Sequence, residues 1–371
     1  ELLTQLMQLT ARVPFDDRRA HQATIHDLRE TKVREFQQDI RSDLINESDS
    51  KTMYRCMRIA GPVNGHDVPK NVGLLFFSQD PEQWFPGARI EVVQFADNAG
   101  GNLLEEKVFH KMPIHEQLQG CLSYLGHLSA RRLEKTADRP EVGGWVGYPF
   151  QALREALVNA VYHRSYEATP EPVKVYLYPD RMEIISYPGP MPGLEKSHFD
   201  GSDPLPPVPA RNRRIGDFLK ELRLAEGRGT GLPKVRRSMQ ENGSPPPRFD
   251  FDDARSYFRV TLPAHPEYIA ILALQDAASL RAVGDSKGAR ERLRSTLQDY
   301  PSSIIVAAEL IMELIKGDDP VAAQSVLEEF VGNNPGADVT RLILPLASAQ
   351  IHIPVQGEDP NGRPNKQASH I

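Results

Sequence analysis

Glu155, Asn159 and His163 stand four residues apart in the segment PFQALREALVNAVYHRSY. On a helix such positions lie one above another, so a carboxylate, an amide oxygen and an imidazole would form one ladder. An amide oxygen ligates Mg²⁺, and a carboxylate orients or deprotonates a water. The ladder would therefore make a wall for a metal-bound phosphate, with a solvated helix face as the alternative reading. Further on, Glu226-Gly227-Arg228-Gly229-Thr230-Gly231-Leu232 runs directly into a second helical segment, with Pro233 suited to its first turn. Glycines at alternate positions let the backbone approach an anion, and the free N–H groups of a helix start favour negative charge.

Other chemistry-bearing residues are less well placed. His110 and His115 flank Lys-Met-Pro-Ile, and without a third ligand the structural reading of the pair stands first. Ser165 and Ser186 have no His-and-acid partners that spacing identifies. Cys56 and Cys121 are widely separated, have no Cys or His nearby at ligand spacing, and read as reduced thiols of a cytoplasmic protein. No GxxxxGK[ST] phosphate loop occurs, so a helicase motor finds no support. Between Leu205 and Arg237 lie nine basic residues, among them Arg211, Arg213, Arg214, Arg236 and Arg237, against Asp217, Glu221 and Glu226. That stretch reads as a phosphate neighbourhood, a nucleic-acid footprint or a solvated basic face.

The elements needed to position these residues follow from periodicity. Leu153, Ala156, Leu157, Ala160 and Val161 give the ladder helix, 149–166, an apolar stripe of its own. Strands are predicted at 173–178 and 181–187, then a Pro/Gly-rich loop over 188–210, helices at 213–223 and 232–242, and a hairpin pairing Phe249 and Phe251 with Phe258, Val260 and Leu262. Upstream, a helix is expected over 25–45, two strands within 72–96 (VGLLFF and RIEVVQF), and a helix over 114–138. Residues 1–24 read as the tail of an absent upstream module, since the chain begins with Glu1. After Pro263, the trio Ala289, Leu293 and Pro301 recurs at one common offset as Ala323, Leu327 and Pro335. That offset is the tetratricopeptide period of about 34 residues. GDSKGA returns as GDDPVAA, one residue longer, and a capping helix is expected at 339–350.

Composition sets the outer bounds. At 371 residues two or three domains are expected, and 40% hydrophobic with 25% charged residues excludes disordered and collagen-like classes. No apolar run is long enough for a membrane span. The net charge of −6 leaves nucleic-acid contact to a local patch. The fold class expected is α/β (α+β): an α/β linker domain at 25–140, an α/β sandwich with a mixed sheet at 148–263, helical repeats at 268–352 and a disordered tail at 353–371.

Two of these motifs carry a resemblance. EALVNAVYHRSY resembles the N-box of the GHKL ATPase superfamily, and GRGTGL its second glycine box. More fully, YPFQALREALVNAVYHRSY with DRMEIISYPGPMP, RNRRIG, EGRGTGL and PPPRF resembles the ATP-binding module that follows Schlafen/AlbA-type domains, in proteins described as RecG-like helicases or transcriptional regulators. LLFFSQDPEQWFPGARIEVVQF is similar to the linker domain of that family, so the likeness covers about residues 1–263. It implies ATP and Mg²⁺ as cofactors. Asn159 would ligate the metal, Glu155 position the attacking water, and His163 and Arg164 lie near the phosphates. Gly189 would belong to the first glycine box, Gly227, Gly229, Thr230, Gly231 and Leu232 would wrap the triphosphate, and the 188–210 loop would be a lid. The superfamily's adenine-reading Asp has no counterpart in the turn Ser186-Tyr187-Pro188-Gly189. The expected function is a nucleotide-binding regulator, with slow ATPase activity, an upstream nucleic-acid-associated module and a protein partner on the repeats. The alternative is a non-enzymatic scaffold that keeps the fold and binds through its repeats and basic patch. Homo-oligomer formation stays open.

Overall fold

The computed structural model describes residues 13–134, 145–167, 169–201, 203–225 and 231–348. The chain divides into two compact units, Glu1–His265 and Pro266–Ile371. Thirteen α-helices and a six-stranded mixed sheet are found among the described residues, which makes the protein α/β.

In the first unit the sheet has the order β4-β3-β5-β6-β8-β7. Its strands are β3 (Ile90–Phe95), β4 (Leu103–Phe109), β5 (Val173–Leu177), β6 (Arg181–Ser186), β7 (Arg248–Asp250) and β8 (Phe258–Pro263). β3 and β5 run parallel, and the other neighbours are antiparallel. Val92, Val175, Ile184, Val260 and Phe249 are in register across five strands. Strand side chains alternate between faces, and the first four of these are buried. Each such buried branched side chain contributes roughly 1.5–3 kcal/mol. The short strands β1 (Ala60–Val63) and β2 (His66–Pro69) form a separate hairpin.

The sheet redraws one expected boundary. Residues 90–109 supply two strands of the same sheet as 173–263, so no division into separate domains falls between 140 and 148. The helical core agrees. Phe36 of α1 (Glu30–Asp39) and Phe76 of α3 (Asn71–Phe77) meet Phe218 of α7 (Arg213–Glu221) at ring distances of 5.3 and 5.1 Å. His115, on α4 (Ile114–Glu134), stacks on Phe76 at 5.2 Å, and burial pushes its pKa down to about 4. This histidine is a neutral core ring, in keeping with the structural reading of the His110/His115 pair.

Two element assignments change. VGLLFF, expected as a strand, is α3, and all seven residues of that helix are buried. A short apolar run buried on every side carries no period by which to tell the two apart. The helix expected over 25–45 is a 3₁₀ turn at Ile25–Asp27, α1, and a second 3₁₀ turn at Asp43–Asn46. Arg41, at φ 55°, turns the chain left-handed after α1, and Ser42 accepts from the Leu44 N–H to start the next turn. A short helix, α2 (Ser50–Cys56), follows with Asp49 as its cap.

The second unit contains α9 (Pro266–Ala282), α10 (Ser286–Asp299), α11 (Ile304–Lys316), α12 (Pro320–Asn333) and α13 (Thr340–Ser348). α10 and α12 start and end one full period apart. Their caps correspond: Asp285 accepts from the Gly288 N–H at 2.8 Å and Asp319 from the Ala322 N–H at 3.1 Å. Ala289, Leu293, Ala323 and Leu327 are all buried. The left-handed positions Gly284 and Asp318 are separated by the same period. The apparent insertion in GDDPVAA is thus a glycine standing one residue earlier, with the period unchanged. The tail at 353–371 lies outside the described residues. Among the described residues no helix is long and apolar enough to cross a membrane.

Candidate nucleotide site

The ladder helix is α5 (Phe150–His163). Ala152, Leu153, Ala156, Leu157, Ala160 and Val161 are buried, as the stripe requires for packing on the sheet. The polar ladder is not a solvated face along its length. Glu155 is buried, with Asn159 half-buried and His163 exposed. The helix forming the opposite wall is α8 (Gly231–Glu241), and its first residue meets the ladder. A β-carbon built on Gly231 would lie 2.8 Å from Asn159 Nδ2 and 3.3 Å from Glu155 Oε2. A side chain there would have to displace the end of the Asn159 side chain.

Glu155 Oε1 is buried, and among the described residues nothing donates a hydrogen bond to it. Its nearest cation is the Arg154 guanidinium, 3.7 Å away. Buried polar atoms nearly always carry a hydrogen bond; among the described residues Oε1 has only this long ion pair, and it is the other oxygen, Oε2, that faces the start of α8. His163 reaches solvent, yet the protein packed around it and then the Arg211 charge push its pKa below the usual histidine range. The ring is neutral at pH 7 and would offer one N–H donor rather than a charge.

Two expected site residues are placed differently. Arg164 is buried and donates to the main-chain oxygens of Pro86, Thr169 and Glu171, at 3.1, 3.1 and 2.8 Å. It fastens the 169–171 loop to the 86 turn instead of facing the ladder, and burial pushes its pKa down to about 10. Gly189 has protein against it: a β-carbon there would stand 2.8 Å from the Tyr257 oxygen and 2.9 Å from Arg255 Cα. Its glycine is needed for that backbone crossing. Gly227, Gly229 and Thr230 lie outside the described residues, while Gly231 and Leu232 open α8.

The expected lid is held at its first half. Arg255 Nη1 donates to the oxygens of Pro190, Met191 and Leu194, at 3.3, 3.1 and 2.7 Å, and its Nη2 pairs with Glu195 at 2.8 Å. Phe199 of α6 (Lys196–Asp200) is buried against Phe251 and Phe258, and Arg236 donates to its main-chain oxygen.

The basic stretch is also reduced. Arg211 is buried on main-chain oxygens, and Arg214 binds Asp217 at 3.0 Å and the Met57 oxygen at 3.0 Å. Arg236 is committed to Phe199, so of the five arginines singled out, Arg213 and Arg237 remain exposed.

Spacing alone does not mark Arg211 and Asn212 as supports of the ladder. Asn212 is 1% exposed, and its Nδ2 donates to the Tyr162 and Arg164 oxygens at 2.8 and 2.6 Å. Arg211 donates to the His163 oxygen and, at 3.3 Å, to the Gly189 oxygen. Together they bind the carboxyl end of the ladder helix to the Gly189 turn. Their one sequence signal is their place in RNRRIG.

Residues 171–262 match the family model described as "Putative ATP-dependent DNA helicase recG C-terminal". The match supports a GHKL-like ATP-binding module, an ATPase-like domain running from the start of β5 into β8. It begins after α5, so Glu155 and Asn159 lie outside it. In fold, the chain is similar to the DIP2311 protein from Corynebacterium diphtheriae, known from its crystal structure, with a TM-score of 0.51 and 19% identity. The likeness covers 78% of this chain and 47% of that one, so the chain spans less than half of that protein's length. No curated protein matches.

Proposed function

We propose that the first unit binds a Mg²⁺-nucleotide, ATP by the resemblance, between α5 and the start of α8, and acts as a regulatory nucleotide sensor with slow hydrolysis. The observation that carries this reading is the meeting of Glu155 Oε2 and the Asn159 amide with Gly231 at the start of α8, with Glu155 Oε1 buried and, among the described residues, without a hydrogen bond. The amino end of α8 favours phosphate charge.

The donor set fits a phosphate-bound magnesium. Among the described residues no cluster of three His, Cys, Asp or Glu side chains could cage a metal. Mg²⁺ commonly takes one or two protein oxygens, with phosphates and water completing its shell. Asn159 would supply the protein oxygen, and the bound ion would neutralise phosphate charge. Glu155, held beside it, would orient a water and take its proton. His163, neutral, would donate one hydrogen bond at the outer end of the ladder.

In this reading nucleotide state is passed to a nucleic-acid-associated module upstream and to a protein partner on the helical repeats. The remaining exposed arginines, Arg213 and Arg237, would give nucleic acid a small footprint at most. A second reading, a scaffold whose ATPase-like fold stays empty, is favoured by Gly189: protein backbone fills the space that a first glycine box would leave open.

Titration calorimetry of ATP, ADP and GTP with Mg²⁺ into wild type and Asn159→Ala, with a phosphate-release assay, separates the two. Binding that disappears in the variant supports the site. Absence of heat up to millimolar nucleotide supports the scaffold.

A further inference from the structure

A buried carboxylate far away in sequence holds the helix next to the ladder. Asp16 is fully buried, and its Oδ2 accepts from the main-chain N–H groups of Arg214 and Ile215, at 2.6 and 3.0 Å. These are first-turn donors of α7, which lack partners inside their own helix. Asn212, the residue before that helix, makes no side-chain cap bond. Its amide is instead turned to the Tyr162 and Arg164 oxygens. The cap that α7 needs comes from the opposite end of the first unit's chain.

That segment is itself stitched down. Phe15 packs edge-on against Phe85 at 5.5 Å, its oxygen accepts from Asn71 Nδ2 at 2.8 Å, and Asp17 pairs with Lys70 at 2.7 Å. On its other side, α7 touches the ladder helix. A β-carbon on Gly216 would stand 2.6 Å from the Tyr162 ring, and Tyr162 is one turn from Asn159. A continuous set of contacts thus runs from Asp16 through the first turn of α7 and the Arg211-Asn212 clamp to the last turn of α5.

We propose that Asp16 is a positioning residue of the nucleotide site, acting through α7, so that docking of the 13–20 segment and occupancy of the site favour each other. The inference rests on the nucleotide reading given above. Whatever pulls on the chain upstream of residue 13 would loosen the Asp16 cap, let α7 and its clamp shift, and release the carboxyl end of α5. By linkage, a nucleotide that holds α5 in place strengthens the docking of the segment by the same factor.

The test uses the 371-residue chain as wild type, Asp16→Ala and Asp16→Asn, each checked for folding by thermal melting. Asparagine keeps an acceptor oxygen for both N–H groups, and alanine does not. Amide exchange over residues 160–166 in nucleotide-free protein reads the mechanical link. Faster exchange in Asp16→Ala, restored in Asp16→Asn, supports it, and equal exchange in all three proteins overturns it. MgATP titration then reads the functional link. Affinity about fivefold or more weaker in Asp16→Ala and near wild type in Asp16→Asn, with nucleotide slowing exchange over 13–20 in wild type, is the expected result. Unchanged affinity in a folded Asp16→Ala overturns the proposal. Wild type that binds no nucleotide overturns the nucleotide reading, and the proposal with it, while the exchange result still reports on the contact path.

Discussion

Asn159 and Gly231 are far apart in the chain, yet a β-carbon on the glycine would lie 2.8 Å from the asparagine Nδ2. The side chain of one helix and the first backbone unit of another are fitted to each other with no room for a methyl group. Gly231→Ala would therefore push Asn159 aside and tilt the start of α8. The expected outcome is a loss of MgATP affinity at least as large as that of Asn159→Ala, with the melting temperature lowered by only a few degrees, since overpacking costs about 1–3 kcal/mol. Calorimetric titration with a parallel thermal melt checks both parts, and undiminished affinity would count against this glycine facing the ligand.

Removing the carboxylate next to that contact separates binding from turnover. Glu155→Gln keeps the side-chain shape and takes away the proton acceptor. Phosphate release should fall by roughly 10²–10⁴-fold, the range for loss of a general base, while nucleotide affinity holds within a few-fold. Among the described residues Glu155 Oε1 accepts no hydrogen bond and has the Arg154 guanidinium 3.7 Å away, so the glutamine gives up one long ion pair and should leave the melting temperature close to that of wild type. A variant that releases phosphate at the wild-type rate would assign the water-positioning role elsewhere.

Much of this site was legible because it is written in local spacing. The ladder and its apolar stripe both follow from the pitch of the α-helix, and Gly231 stands just where a glycine-rich loop gives way to a helix. What spacing does not carry is pairing between distant segments. Val92 beside Val175 joins the expected linker to the expected ATP-binding domain in one sheet, and the Gly/Pro-rich stretch around 143–149 imitates a boundary that the hydrogen bonds ignore. The family resemblance sets Arg164 near the phosphates, and local charge makes Arg211 a candidate for phosphate, nucleic acid or a solvated basic face. Both are taken up by main-chain oxygens of turns that come together only in the folded unit. The α3 helix escapes a periodicity reading for a different reason, since seven buried residues show no polar face to reveal a period.

The forked contacts of Arg255 should govern how freely the 188–195 stretch moves. Lysine keeps the charge but cannot reach the oxygens of Pro190, Met191 and Leu194 together with the Glu195 carboxylate. Arg255→Lys is expected to cost about 1–3 kcal/mol and to speed limited proteolysis within 188–201 several-fold. If this stretch covers bound nucleotide, the dissociation rate rises as well. Cleavage at the wild-type rate would show that Phe199, buried against Phe251 and Phe258, suffices to hold the loop.

Asp16 gives the first unit a pH signature whose sign can be worked out. Burial, and then the neighbouring Asp17, raise its pKa from 3.8 to about 6 in the folded chain. A raised carboxyl pKa means the folded state holds the proton more firmly than the unfolded one. The stability this contributes is full below about pH 4 and is lost as pH rises through about 6. Asp16→Asn removes the titration and keeps the acceptor. Between pH 5 and pH 7 wild type should therefore lose about 1 kcal/mol of unfolding free energy relative to Asp16→Asn, measured by urea denaturation at the two pH values. Parallel pH profiles for the two proteins would mean that the Asp16 carboxyl titrates alike in the folded and unfolded chain.

The helical repeats offer a test independent of any ligand. Gly284 and Asp318 occupy equivalent left-handed positions in successive repeats, at φ 84° and 58°, and only the first is a glycine. A side chain in that region carries a steric cost of about 1–2 kcal/mol, eased for aspartate by local hydrogen bonding. Glycine also gives the unfolded chain more freedom to lose, which offsets part of the gain. Asp318→Gly should still stabilise the second unit by a few tenths of a kcal/mol to about 1 kcal/mol, and Gly284→Asp should destabilise it by a similar amount. The symmetry is what makes the pair informative. If the repeats are equivalent in structure, the two exchanges move the unfolding midpoint in opposite directions by like amounts. If Asp318→Gly instead lowers the midpoint, the aspartate makes a compensating contact in its own repeat, and the correspondence between repeats would hold for the backbone but not for the energetics.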